Sequence, residues 1–243
     1  MIPAEIQETI HMLFIIMWAT GFTPKAWITS NTILIDNNKE EETEASSYRP
    51  IGLANTLYKL WTRQITNTLY EYAETNSILS TTQAGFCKRK DTIHQTQNVN
   101  MALEDAKPIC KDIYALIVDL TSAFNTTDHD HMLWILYDLG FLTDAIDAVK
   151  NPYENATTQF KLPSGVCKGQ IPVERGTIQG DTLSPLPISF LLYMEPLLRW
   201  LHVAGRGYVH TCISKENELQ THLANNISSA SFADDLLCPT GNL

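Results

Sequence analysis

Apolar residues recur at helical spacing through Leu53, Leu57, Leu60, Trp61, Ile65, Leu69 and Tyr72, which predicts an amphipathic helix over residues 53–75 with one buried face. A shorter apolar run, Ile10 to Trp18, predicts a helix over 3–20 that Gly21 closes, with Pro24 marking the loop beyond it. That run is too short to span a bilayer, and Glu5 and Glu8 ahead of it exclude a signal peptide. Asp91 reads as the N-cap of a helix over 92–106, and Ser184-Pro185 as the start of another reaching about residue 202. Met132, Leu133, Ile135, Leu136 and Leu139 define a further helix that stops at Gly140.

Strand signals are shorter. Thr32–Ile35 is one, and residues 157–162 and 170–175 form a pair connected through Pro163 and Gly165. In Lys111 to Leu120 a β-rich run ends on Asp119, the pattern of a buried strand delivering a carboxylate at its end. Near the C-terminus, Asp234 and Asp235 interrupt the apolar run Ser231 to Leu237. Successive strand residues face opposite ways, so two neighbouring acids serve one site most easily at a strand end or hairpin turn.

Composition narrows the class. At 243 residues with 44% hydrophobic and 18% charged residues, the chain is globular and large enough for one large domain or two subdomains. A net charge of −10 argues against nonspecific affinity for nucleic acid. Part of that excess is local, in the acidic stretch from Asp36 to Arg49, which reads as a solvated loop. The five cysteines show no CxxC spacing, so neither a zinc site nor a disulfide framework is indicated. A reducing, intracellular location follows, cytoplasmic or nuclear and not secreted, and the sequons at Asn125, Asn155 and Asn226 are discounted accordingly. No internal repeat is present.

The chemistry rests on acids. An Asp pair alone suits an exposed turn. Together with Asp119 it offers three oxygen ligands on two strand ends, the donor set of a two-metal site for in-line phosphoryl transfer. Asp128-His129-Asp130-His131 reads instead as a helix opening, since acids in a first turn complement the helix dipole and nothing supplies a fourth ligand.

Asp119-Leu-Thr-Ser-Ala-Phe124, then Arg175-Gly-Thr-Ile-Gln179-Gly180-Asp181-Thr-Leu-Ser184-Pro185, then Phe232-Ala-Asp-Asp235, in this order, resemble a reverse transcriptase of the non-LTR (LINE-type) retrotransposons. Ser47 to Leu53 and Gln83-Ala-Gly85-Phe86 resemble that family's finger motifs, and the similarity covers about residues 24–243. The resemblance implies an α/β (α+β) right-hand palm with an antiparallel sheet and helical fingers. The implied partition is an N-terminal helical extension (1–30), fingers (31–110) and palm (111–243), with a return to the fingers within about 140–178. Only eight residues follow Asp235, so a thumb is expected to be missing and the chain to be truncated after its Asp-Asp hairpin.

The implied activity is RNA-directed DNA polymerisation with an RNA template, a DNA primer and deoxynucleoside triphosphates, and no membrane partner; oligomeric state stays open. Asp119 and Asp234 would hold two Mg²⁺ ions, with Mn²⁺ as a substitute, Asp235 completing the cluster and the Leu120 carbonyl adding an oxygen. Lys88, Arg89 and Lys90 would neutralise the triphosphate, and Phe124, Gln179 and Gly180 would shape the sugar pocket, Phe124 excluding a 2′-hydroxyl. Arg49 would meet phosphate or the template backbone, a turn before Pro50 being the plainer reading of that residue. This chain departs from the family where Asp36, Asn37 and Asn38 replace finger lysines, where Cys87 follows Gly-Phe in place of Arg, and where Asn125 follows the aromatic. Those departures leave a second reading open: a catalytically inactive retroelement remnant that binds RNA or protein.

Overall fold

The structure, a computed structural model, describes residues 3–36, 47–120, 123–162, 165–167, 169–176, 187–205, 207–216 and 219–241. In chain order its elements begin with α1 (Ala4–Thr20), α2 (Lys25–Ile28), β1 (Thr29–Asp36), β2 (Tyr48–Leu53), α3 (Thr56–Thr75), α4 (Thr92–Ala106) and β3 (Tyr114–Asp119). There follow α5 (Ala123–Thr126), α6 (His129–Asp138), α7 (Thr143–Glu154), β4 (Thr157–Leu162), β5 (Gly165–Val166) and β6 (Ile171–Pro172). The last are α8 (Pro187–Val203), β7 (Tyr208–Glu216), β8 (Leu219–Ile227), β9 (Ala230–Phe232) and β10 (Asp235–Thr240).

Two compact units result: Met1–Asn76 with Phe124–Phe190, and Ser77–Ala123 with Leu191–Leu243. Residues 77–110 group with the strands that carry the acids, and 124–190 group with the N-terminal part. Pairing is the reason: β4 lies parallel to β1 (Thr29↔Thr157), and the segment around Gln83 bridges to Ser231.

In the first unit α3 supplies the core. Trp61, Ile65 and Leu69 are fully buried, and each aliphatic side chain contributes about 1.5–3 kcal/mol by leaving water. The helix starts at Thr56 rather than residue 53 because Leu53 completes β2; the Asn55 side chain then accepts from Leu57 N as the cap. On α1, Phe14 and Trp18 pack on Trp61 with ring centroids 5.4 and 6.2 Å away, and Trp18 Nε1 donates to Asp144 Oδ2 of α7 at 2.9 Å. Gly21 ends α1 in the left-handed region (φ 65°).

The sheet of this unit runs β2-β1-β4-β5, with β6 also on β4. Its inner register is polar: Thr29 bonds Thr157 (3.0 Å), Ser30 bonds Thr158 (3.1 Å) and Thr32 bonds Thr158 (2.7 Å), which is how buried Ser30 and Thr32 are satisfied. Arg49 lies in β2 opposite Ile35 and is exposed, where the sequence suggested a turn. Pro50 is tolerated there because β2 is an edge strand among the described residues.

The second unit carries the sheet β3-β10-β9 and the β7-β8 hairpin. Asp91 caps α4 with a capping box, and the His94 amide it accepts from holds its carboxyl below the usual value. Tyr208 packs on Ala102 and Ala106 and donates to Asp105 Oδ2 at 2.7 Å; burial, and then that bond, push its hydroxyl up to about 12. One expectation fails here: β3 is not buried. It pairs only with β10 among the described residues, and Leu116 and Ile117, which face opposite ways, are 63% and 75% exposed.

Glu195 of α8 is a buried acid of this unit. Its Oε2 accepts from Ser80 N (2.9 Å) and its Oε1 from Arg199 Nε (3.0 Å), while Arg199 Nη2 donates to Ile78 O (2.7 Å). Burial pushes the Glu195 carboxyl up, against the pull of these donors. Replacing Glu195 by Ala orphans the Ser80 amide and should cost about 1–3 kcal/mol, read as a lowered midpoint in urea; an unchanged midpoint would show that the pair does not hold the loop.

Candidate active site

The Asp-Asp hairpin is tight. Phe232 pairs with Asp235 across β9 and β10, leaving Ala233 and Asp234 as a two-residue turn. Ala233 has φ 56°, a conformation that normally belongs to Gly at the first turn position, so this residue is held against its preference. On the other side of β10, β3 brings Asp119 directly opposite Asp235. Directly opposed residues share a face with Cβ atoms about 4.5–5.5 Å apart.

Asp235, rather than Asp234, is therefore the register partner of Asp119, since Ala233 and Asp234 are spent on the turn. Asp119 and Asp235 are exposed and Asp234 is half-buried. None of the three forms an ion pair among the described residues. Nor, among the described residues, do three or more His, Cys, Asp or Glu side chains gather into a ready metal-ligand group. The donors at hand are hard carboxylate oxygens, which suit Mg²⁺, Mn²⁺ or Ca²⁺ better than zinc. Leu120 lies just beyond the last β3–β10 register pair.

What holds the turn was not legible in the sequence. Gln83 is 1% exposed; its Oε1 accepts from Gly85 N (2.8 Å) and Ala233 N (3.1 Å), and its Nε2 donates to Ala233 O (3.3 Å). Main-chain bonds run alongside, Ala84 N to Ser231 O (2.9 Å) and Ser231 N to Thr82 O (3.0 Å). Gly85 sits so close that a Cβ there would lie 2.8 Å from Ala233 Cα and would overlap its nitrogen.

The basic cluster divides. The Lys90 ammonium donates to Ser80 O (3.3 Å), Thr81 O (3.3 Å) and Gln83 O (3.0 Å), so its three hydrogens organise the loop. Lys88 and Arg89 are exposed, Arg89 with φ 61°. Phe124 falls in α5, its side chain outside the described residues, as are Gln179 and Gly180 entirely. The residue just before that segment is described: Gly176 N donates to Thr127 O (2.7 Å), and its carbonyl accepts from His129 Nε2 (2.7 Å). His129 is thus committed to main chain, and Asp128 caps α6 by accepting from His131 N (3.0 Å), which holds its carboxyl below the usual value.

Comparison with solved structures bears on the fold. Over 98% of this chain and 49% of the other, the fold matches apo telomerase from Candida tropicalis truncated from its C-terminal domain, with a TM-score of 0.56 at 11% identity. Telomerase from Candida albicans in complex with a telomeric RNA fragment matches over 99% of this chain and 43% of that one, with a TM-score of 0.53 at 11% identity. The architecture is that of a polymerase palm, mixed α and β.

The chain belongs to the family described as "Reverse transcriptase (RNA-dependent DNA polymerase)", which it matches over residues 36–242. It is 27% identical over 235 residues to the Pol polyprotein from type-1 retrotransposable element R2 of Nasonia vitripennis, covering 96% of this chain and 21% of that protein. It is 28% identical over 207 residues to the probable RNA-directed DNA polymerase from transposon BS of Drosophila melanogaster, covering 84% of this chain and 22% of that one. The jockey polymerase of the same fly is 27% identical over 238 residues, covering 97% and 24%. The chain thus spans about a fifth to a quarter of the curated relatives it matches. Members of the family generally depend on a divalent metal. Among the described residues no helix is long and apolar enough to cross a membrane.

Because the Gly85 site has no room for a methyl group, Gly85→Ala should force the loop from the hairpin and cost about 1–3 kcal/mol, read by thermal unfolding. A melting temperature equal to that of the parent would show that the two segments are not in contact.

Proposed function

We propose that this chain is the catalytic portion of an RNA-directed DNA polymerase that adds deoxynucleotides to a DNA primer on an RNA template. The observation that carries the reading is the Asp119–Asp235 register beside a turn bearing Asp234. Two divalent ions, Mg²⁺ or in its place Mn²⁺, would activate the primer 3′-hydroxyl and stabilise the leaving pyrophosphate. Asp119, Asp234 and Asp235 are the residues that would hold them, with the Leu120 carbonyl as a further oxygen. Lys88 and Arg89 would face the triphosphate, with Lys90 acting through the loop it organises. Phe124 would stand under the ribose and reject a 2′-hydroxyl, Gln179 and Gly180 would line the same pocket, and Arg49 would meet the template backbone. An intracellular location, cytoplasmic or nuclear, goes with these substrates.

Two observations favour the second reading, an inactive remnant that binds RNA or protein: the net charge of −10, and Asp36, Asn37 and Asn38 standing where the family has finger lysines. Primer extension on an RNA template with Mg²⁺ decides between them. Under the polymerase reading the parent chain extends the primer and Asp234→Ala falls to background. No extension by either protein, with both folded, supports the remnant.

A further inference from the structure

We infer that Gln83 is a positioning residue for the Asp-Asp turn: it fixes the backbone of Ala233 and so sets where Asp234 and Asp235 present their carboxylates. The inference rests on the polymerase reading for its consequence in catalysis, and on geometry alone for its structural half.

Ala233 occupies a positive φ (56°) without being Gly, and such a conformation persists only where its surroundings over-determine it. Here one side chain meets both its main-chain groups. Gln83 Oε1 accepts from Ala233 N at 3.1 Å, and Nε2 donates to Ala233 O at 3.3 Å. A primary amide is the side-chain group able to accept and donate in one plane in this way. The second lone pair of Oε1 takes Gly85 N at 2.8 Å, which sets the orientation of the amide itself. Nothing in this arrangement is solvated: Gln83 is 1% exposed and Ala233 6% exposed.

The backbone of residue 83 is fixed in turn. Its carbonyl accepts from Lys90 Nζ (3.0 Å), and neighbouring Thr82 O accepts from Gln95 Nε2 (2.8 Å) and from Ser231 N (3.0 Å). Gln83 is thus a rigid bracket whose outer end meets the residue immediately before Asp234. Partners that orient ligating groups typically change metal affinity or activity by about 10- to 100-fold when removed.

Gln83→Met keeps the length and apolar volume of the side chain and removes all three bonds. Gln95→Met is the control, because it removes a bond to the same loop without touching the turn, while Thr82 O keeps its bonds from Ser231 N (3.0 Å) and Ser231 Oγ (3.1 Å). Amide hydrogen exchange, measured on the full chain without metal, should rise about 10-fold or more at residues 233–235 in Gln83→Met and stay at the parental rate there in Gln95→Met. Mn²⁺ binding, followed by electron paramagnetic resonance, should weaken about 10- to 100-fold in Gln83→Met alone. Gln83→Glu, which keeps both acceptor bonds and loses only the donor bond to Ala233 O, should restore protection at the Ala233 amide relative to Gln83→Met, and it serves as the test variant if Gln83→Met fails to fold, with exchange at 233–235 then faster than in the parent and parental exchange overturning the inference.

Parental exchange at 233–235 in a folded Gln83→Met, or equal acceleration in the Gln95 control, overturns the inference. If the parent chain itself binds no Mn²⁺, the polymerase reading fails instead, and the exchange arm still decides whether Gln83 holds the turn.

Discussion

Carboxylates on neighbouring strands repel, and a main-chain ladder keeps Asp119 opposite Asp235 nonetheless. The β3–β10 register extends from Asp235↔Asp119 to Thr240↔Tyr114 without a break. Two like charges about 5 Å apart in water-like surroundings repel by about 1 kcal/mol. Each ladder hydrogen bond returns a net of about 0.5–1.5 kcal/mol, so several in series outweigh that repulsion. The acids sit at the end of the ladder, where the repulsion is best solvated and a cation has access.

The second constraint is polar saturation of the loop that abuts the hairpin. Ile78 O, Ser80 N, Ser80 O, Thr81 O, Thr82 O and Gln83 O all have partners, drawn from Arg199, Glu195, Lys90, Gln95 and Ser231. A buried loop keeps one shape only if its buried donors and acceptors are paired. Charged residues that would otherwise belong at the surface are used for this, and Glu195 stays in place although its burial disfavours the ionised form. The same economy recurs in the first unit, where Thr and Ser hydroxyls pair across β1 and β4 and His129 meets the Gly176 carbonyl.

Local chemistry made much of this readable. Asp91 and Asp128 announce α4 and α6 because an N-cap needs only its next three residues, and Gly21 announces the end of α1 for the same reason. The acids at the ends of apolar runs put Asp119 and the Asp234-Asp235 pair on strand ends. What could not be read depends on distance along the chain. Gln83 meets Ala233 across 150 residues, and no periodicity reports such a meeting. Lys90 looked like a phosphate ligand because composition shows a charge and hides the three carbonyls that claim it. Pro50 suggested a turn because the edge position that tolerates it is a property of the sheet. The run from Lys111 to Leu120 read as a buried strand, yet apolar sequence implies cover only if both faces meet a layer, and here Leu116 and Ile117 are exposed.

Acids distant in sequence meet at one end of a sheet, where the proposed metal ions would bind. Fe²⁺ substituted for Mg²⁺, with ascorbate and peroxide, cuts the main chain beside the bound ion, and the cut sites report which segments surround it. Cleavage is expected next to Asp119 and next to Asp234-Asp235 together, both suppressed by excess Mg²⁺ and both lost in Asp119→Ala. Cleavage confined to one of the two segments, or indifferent to Mg²⁺, would rule out a shared site.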